Sequence, residues 1–383
     1  MSNIPYGRQH ITQEDIDAVV AVMKSDFLTQ GPAVAEFEKK FTEYLGVKYA
    51  VAVSNGTAAL HLAALALNLH KGTRVITTPI TFAASANCVR YCGGDVHFAD
   101  IEPNSFLIDP IEIIRLIASK PKGYFSGIIP VDLAGNPCNL EHLRKIADEH
   151  GMWILEDACH APGAYFTDGM GVKQLSGNGV YADLSVFSFH PVKHIATGEG
   201  GMITTNNEAL YKKLLLLRTH GITRDPQLLK ENHGGWYYEM QELGYNYRMP
   251  DMLAALGTSQ LSRAEEGLKR RIQIAARYDK ELTGLPVKLP HHEKSVRHAY
   301  HLYVIRTKKR KELYDHLRNE GIFCQVHYIP VHTMPYYREI GFNKGDFPHA
   351  EKYYDQCLSI PMYPSLTDEE QSKVIQAIKQ FFS

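Results

Sequence analysis

A chain of 383 residues, 44% apolar and 22% charged, has ordinary globular composition and length enough for a large core and two to three domains, which excludes a disordered chain or a disulfide-stapled miniprotein. Lys+Arg at 41 against Asp+Glu at 42 leaves a net charge of −1, so no large basic footprint for nucleic acid is expected. Six cysteines without a CxxC pair, and no signal-peptide pattern, read as thiols of a cytosolic protein.

Ile16, Val19, Val20 and Met23 recur at helical spacing, and Val34, Phe37, Phe41 and Leu45 form a second stripe that stops at Gly46. The spacing then predicts strand Tyr49–Val53, a helix over 57–69, strand Arg74–Thr77, a helix over 82–91 and a strand over 96–99. A helix over 110–118, a strand over 127–131, a helix over 140–150 and a strand over 152–156 follow. The longest uncharged stretch, Tyr49 to His70, is interrupted by Ser54-Asn55-Gly56-Thr57, so it reads as strand, turn and helix and not as a membrane span. Short continuous apolar strands alternating with helices predict an α/β fold with a large, doubly wound, mostly parallel sheet. From Pro250-Asp251 a long helical pattern runs toward Tyr278. Beyond it come a strand over 301–305, a helix over 311–319, a strand over 323–327 and a final helix over 368–382. These form a smaller α+β domain, so residues 1–250 are expected as a large domain and 251–383 as a small C-terminal one, with one helix bridging the two.

Open parallel sheets bind ligands outside the carboxyl ends of their strands. The first such turn, Ser54-Asn55-Gly56-Thr57-Ala58, leads from a strand into a helix whose amides and dipole suit a phosphate, with the Thr57 hydroxyl in reach; a simple Asn55 helix cap is the competing reading. The second ends in Glu156-Asp157, where a carboxylate can pair with a cationic ring nitrogen. The third, Phe187-Ser188-Phe189-His190, leads to Lys193 among aromatics and then to Gly198-Glu199-Gly200-Gly201. A lysine in an apolar setting can be a nucleophilic amine, and Ser188 adds a second phosphate hydroxyl. Lysine, strand-end aspartate and phosphate cradle are together the protein groups that pyridoxal phosphate requires.

At these residues the chain resembles the DegT/StrS sugar aminotransferases, pyridoxal-phosphate enzymes of fold type I. The likeness runs from Tyr6 and Leu28-Thr29-Gln30-Gly31 to the closing helix. It includes Thr78-Pro79-Ile80-Thr81-Phe82, Gly244-Tyr245-Asn246-Tyr247-Arg248-Met249 and Gln325-Val326-His327-Tyr328. The resemblance implies Lys193 as the Schiff-base lysine and Asp157 as partner of the pyridine nitrogen. It implies Phe82 as the stacking aromatic, Thr57, Ala58 and Ser188 as phosphate contacts, and His160 beside the ring oxygen. Asn246 is implied to cross from the second subunit of a homodimer to the phosphate. Tyr6, Asp26, Phe27, Leu28, Thr29, Gly56, Ser188, Asn246, Gln325, Val326, His327 and Tyr328 are implied as nucleotide-sugar contacts. The implied reaction moves an amino group from L-glutamate to C4 of a UDP-linked 4-keto-6-deoxy sugar, as in pseudaminic acid biosynthesis. Lysine at 193, where dehydratases of the family carry histidine, favours transfer. A dTDP-keto-sugar 3-aminotransferase, a lyase and a non-catalytic regulator on the same fold are the alternatives. Neither nucleic acid nor membrane is expected as a partner, and His291, His292, His298 and His301 read as solvated loop histidines instead of metal ligands. Asp132 reads as a crevice-facing or capping residue, and Gly234 to Tyr238 as a loop.

Overall fold

The computed structural model describes residues 3–383. Its centre is a seven-stranded sheet in the order Tyr49–Val53, Gly201–Thr205, Leu184–Ser188, Trp153–Asp157, Gly127–Ile129, Arg74–Thr77 and Asp95–Phe98. The run from Leu184–Ser188 to Asp95–Phe98 is parallel throughout, and Gly201–Thr205 lies antiparallel to both of its neighbours. Val51, Val53, Val75, Ile129, Leu155 and Val186 are all buried among helices, as continuous apolar strands require. The antiparallel strand falls in the segment that reads from sequence only as a glycine-rich turn. Gly201 belongs there because a Cβ on it would meet the Asn55 carbonyl oxygen at 2.6 Å.

The helical pattern beyond Pro250 is two helices, Asp251–Ser262 and Ala264–Leu282. Arg263 leaves helical geometry at φ −118°, and its guanidinium reaches the buried Asp15 carboxylate and, at 2.9 Å, the His10 carbonyl. The second helix links two cores: Ala264 and Leu268 pack beside Phe37, Phe41 and Phe189, whereas Ile274, Tyr278 and Leu282 pack with Tyr303, Leu313 and Ile378. In the C-terminal part Tyr303–Arg306 pairs antiparallel with Cys357–Ile360. The strand expected over 323–327 is only Ile322–Phe323, which pairs in parallel with Ile4–Pro5 at the other end of the chain. No helix among the described residues is long and apolar enough to cross a membrane.

Candidate active site

A cavity of about 640 Å³ opens at the carboxyl ends of the parallel strands. Its wall includes Tyr6, Gly56, Thr57, Ala58, Phe82, Asp157, His160, Ser188, Lys193, His327 and Tyr328. Residues far apart in sequence meet there because the sheet order sets the Asp157 strand directly beside the Ser188 strand.

The helix Gly56–Ala66 starts at the cavity. Asn55 Oδ1 accepts the Ala58 N–H at 2.8 Å, so the cap is real and the Ala58 amide is already engaged. The Gly56 and Thr57 amides stand at the open first turn, where a helix favours an anion. A Cβ on Gly56 would sit 2.8 Å from Ser188 Cβ, so glycine is what lets the helix start and the Ser188 strand end form one cradle.

Asp157 is 5% exposed. Its Oδ2 accepts the Ser85 hydroxyl at 2.6 Å and its Oδ1 accepts the Cys159 N–H at 3.1 Å. With Ser85 donating to the carboxylate, the Thr81 hydroxyl is the donor in the 2.8 Å Thr81–Ser85 bond. Thr81 and Ser85, four residues apart, thus orient the carboxylate; Thr81 belongs to the Thr78–Phe82 segment that carries the resemblance, whereas nothing in the sequence marks Ser85. Lys193 sits on the facing loop, its backbone N–H bonded to the His190 carbonyl at 2.8 Å. Burial holds its amine below ordinary lysine basicity, partly offset by Cys159 and Asp157.

His160 is buried, and its Nδ1 accepts the Ala134 N–H at 3.2 Å. Burial, together with Lys193, keeps the ring neutral, so its proton is on Nε2, 3.2 Å from the Tyr328 oxygen. His160 therefore donates to Tyr328, and the phenolic proton, held on by burial, is free to point at a ligand. His327 Nδ1 lies 2.8 Å from the Ser359 hydroxyl, and burial lowers its pKa to about 3.

Several expectations are corrected here. Asp132 does not face the crevice: it is fully buried, accepting the Cys138 N–H at 2.8 Å and the Ser176 hydroxyl at 2.6 Å. Beside Glu156, also buried, it is pushed up to about 6 chiefly by desolvation. His298 and His301 are not solvated; they are 5% and 4% exposed, and His301 lines the cavity. The sequence expects a strand from His301, but the strand starts at Tyr303, and the irregular segment before it is buried by tertiary contacts that no local pattern marks. His194 donates Nε2–H to the Ala299 carbonyl at 2.8 Å, which ties the Lys193 loop to the segment carrying His301.

Other implied contacts lie outside the cavity of a single chain. Asp26, Phe27, Leu28 and Thr29 are all exposed, with Thr29 bridged to Pro250. Gln325 is exposed and bridged to Ser359, and Val326 packs in the C-terminal core. Asn246 is exposed between Tyr245 and Tyr247, whose rings stack 5.1 Å apart, and Tyr247 reaches the cavity wall.

The model of the DegT/DnrJ/EryC1/StrS aminotransferase family matches residues 9–379. The spore coat polysaccharide biosynthesis protein SpsC of Bacillus subtilis is 38% identical over 387 residues, covering 98% of this chain and 96% of that protein. A UDP-4-amino-4,6-dideoxy-N-acetyl-beta-L-altrosamine transaminase of Campylobacter jejuni is 36% identical over 370 residues, covering 95% and 93%. The PLP-form structure of Spr1654 from Streptococcus pneumoniae superimposes with a TM-score of 0.89 at 29% identity, over 99% of this chain and 98% of that one.

Proposed function

Because this chain belongs to the DegT/DnrJ/EryC1/StrS aminotransferase family, we propose that it is a pyridoxal-phosphate enzyme. In this reading it moves an amino group from L-glutamate to C4 of a UDP-linked 4-keto-6-deoxy-N-acetylhexosamine, in the cytoplasmic synthesis of a surface amino sugar. The observation that carries the reading is the meeting of Lys193, Asp157, Ser188 and the Gly56–Thr57 helix start on one cavity wall. These residues fit the cofactor chemically: a cradle closed by Gly56 against Ser188, a buried carboxylate held by two donors, and an amine short of its ordinary basicity.

When bound, pyridoxal phosphate supplies an aldehyde and an electron-withdrawing ring that takes up negative charge from the carbon next to the transferred nitrogen. The Gly56 and Thr57 amides and the Ser188 hydroxyl hold the phosphate. Asp157 keeps a proton on the ring nitrogen by opposite charge, and Ser85 and Cys159 keep Asp157 aimed. Phe82, 60% exposed at the cavity edge, covers the ring face. Lys193 Nζ would hold the cofactor's aldehyde end, and its free amine would serve as general base and acid for the donor's α-proton. His160 would serve the cofactor's ring oxygen, and Tyr328 would offer its phenolic proton toward the substrate.

A homodimer belongs to the same proposal. Asn246 and Asp26 to Thr29 are exposed outside the cavity, beside bare apolar groups such as Leu28 at 50% and Leu243 at 77%, which suits their serving the cavity of a second copy. So do the domain division at 250/251 and the nucleotide-sugar contacts at Tyr6, Gln325, Val326, His327 and Tyr328. The UDP-sugar part rests on the Campylobacter relative at 36% identity; the Bacillus relative at 38% keeps other surface-polysaccharide sugars as the second reading.

The test has two stages. Borohydride treatment of the cofactor-loaded protein should fix cofactor mass on Lys193. Glutamate and a panel of UDP- and dTDP-linked 3-keto and 4-keto sugars should then give the 4-amino UDP sugar, identified by mass and NMR. No labelled lysine overturns the cofactor assignment, and nitrogen at C3 overturns the substrate assignment.

A further inference from the structure

His301 is 4% exposed on the cavity wall, its ring centroid 4.3 Å from that of His160 and 5.9 Å from that of His194. Each neighbouring imidazole has at least one side-chain hydrogen bond: His160 through both nitrogens to Ala134 and Tyr328, His327 through Nδ1 to Ser359, and His194 through Nε2 to Ala299, its own Nδ1 having no partner among the described residues. His301 has none among the described residues, and its unpartnered Nδ1 is buried. An unpaired buried polar atom in a ligand cavity costs free energy that a ligand can recover.

The wall behind it carries a charge. Arg271 is 1% exposed and donates through one nitrogen to the carbonyls of Met362 at 2.9 Å, Tyr300 at 3.1 Å and His301 itself at 3.3 Å. It forms no ion pair among the described residues. A buried guanidinium bonded only to carbonyls leaves an uncompensated positive field, strongest where water is excluded. Backbone bonds from Ala299 to Gly135 at 2.7 Å and from Leu302 to Ala134 at 3.2 Å hold the segment in place, so the imidazole and the field behind it are preorganised.

An amino-acid donor carries its carboxylate on the same carbon whose proton Lys193 removes, so that carboxylate must sit in the wall next to Lys193. Among the described residues no arginine lines the cavity to receive it. We propose that His301, backed by Arg271, receives the α-carboxylate of the amino donor and so sets donor affinity apart from keto-sugar affinity. This rests on the aminotransferase reading above.

The experiment uses the cofactor-loaded protein, with 2-methylglutamate as a donor analogue that lacks the α-proton and glutamate as donor. In His301→Leu, which fills much of the ring's volume without a polar atom, calorimetric affinity for 2-methylglutamate should fall at least tenfold. The glutamate concentration for half-maximal loss of the cofactor's visible band should rise equally. UDP affinity, and the return half-reaction with keto sugar from amine-loaded protein, should stay within twofold. His301→Asn, which places an amide N–H where the ring carries Nδ1, should recover most of the donor affinity. Unchanged donor affinity, or an equal loss for UDP, overturns the inference. Should the variants fail to load cofactor, a crystal structure of the unaltered protein with 2-methylglutamate decides: a carboxylate bonded to the His301 ring supports the inference, and one bonded elsewhere sinks it. If the unaltered protein itself does not respond to any amino acid, the aminotransferase reading has failed instead.

Discussion

The two walls of the cavity are built on different principles. On the sheet side, Asp157 and Ser188 stand at the ends of paired strands, and Gly56 opens a helix that follows directly on another strand. There the backbone is fixed by ladder hydrogen bonds, and each chemical group projects from a strand-to-helix or strand-to-loop turn. On the opposite side, His301, His327 and Tyr328 come from irregular segments. They are held by isolated bonds outside any ladder: side-chain bonds from Arg271 to the Tyr300 and His301 carbonyls, from Tyr353 to the His327 carbonyl at 2.9 Å and from His160 to Tyr328, and backbone bonds from Ala299 to Gly135 and from Leu302 to Ala134. The contrast teaches that the cofactor-facing wall draws its precision from the sheet, whereas the substrate-facing wall draws it from a few scattered bonds to buried groups. Changes on the first wall should remove the chemistry, and changes on the second should retune which substrate is held.

The sharpest way to break this contrast is Lys193→Ala. Transfer from glutamate to keto sugar should fall by about 10⁴-fold, the upper end of what a lost acid–base group at the reacting carbon costs; turnover within tenfold of the unaltered protein, measured by mass spectrometry of the product, would remove Lys193 from its role. Next is Asp157→Asn, expected to cost about 10³-fold, comparable to losing a preorganised electrostatic partner. Because Asn keeps the size and loses only the charge, an unshifted cofactor spectrum with full rate would contradict its pairing with the ring nitrogen.

Gly56→Ala tests the cradle. The new methyl would press on Ser188 Cβ at 2.8 Å, so overpacking should cost about 1–3 kcal/mol and weaken cofactor binding, read as a lower melting temperature and a higher dissociation constant. Gly171→Ala, where an added methyl meets no atom within 4 Å and the cost lies only in a backbone at φ +81°, should leave cofactor affinity alone.

The smallest effect concerns His298, a buried histidine three residues before His301, and is read as pH dependence. Burial lowers the pKa of His298 to about 3 from an ordinary 6.5, and its Nδ1 accepts the Tyr300 N–H at 2.8 Å. The unfolded chain therefore binds this proton at a pH where the folded protein does not. Stability is fully present above about pH 6.5 and is lost as pH falls toward 3, by about 1.4 kcal/mol per pH unit for one such group. His298→Gln keeps an acceptor and removes the titration, so denaturant melts between pH 6.5 and 4.5 should show a slope shallower by about one proton. An unchanged slope would mean that this ring is solvated in the native protein.

The sheet-side residues were legible because a motif and its structural setting coincide in one short segment. Ser54-Asn55-Gly56-Thr57 follows a strand and starts a helix, Asp157 ends a strand, and Lys193 follows one. Period, breaker and chemistry are all local there, and the family resemblance over those same segments agrees with the match across residues 9–379. The helix from Pro250 was legible in extent but not in its break at Arg263, since the partner that draws that side chain away, Asp15, is 248 residues distant.

The amino-acid sequence by itself determined the alternating α/β core, the lysine, the aspartate and the glycine-bearing helix start, because apolar periodicity and turn chemistry act over a few residues. Only the tertiary structure decided that Gly201–Thr205 enters the sheet antiparallel, that Ser85 aims Asp157, that Asp132 is buried away from the crevice, and that His301 reaches the cavity over an unpaired Arg271. Each of those depends on which distant groups share a buried volume, and burial converts an ordinary serine, histidine or arginine into a positioned donor or an uncompensated charge only once the chain has closed around it.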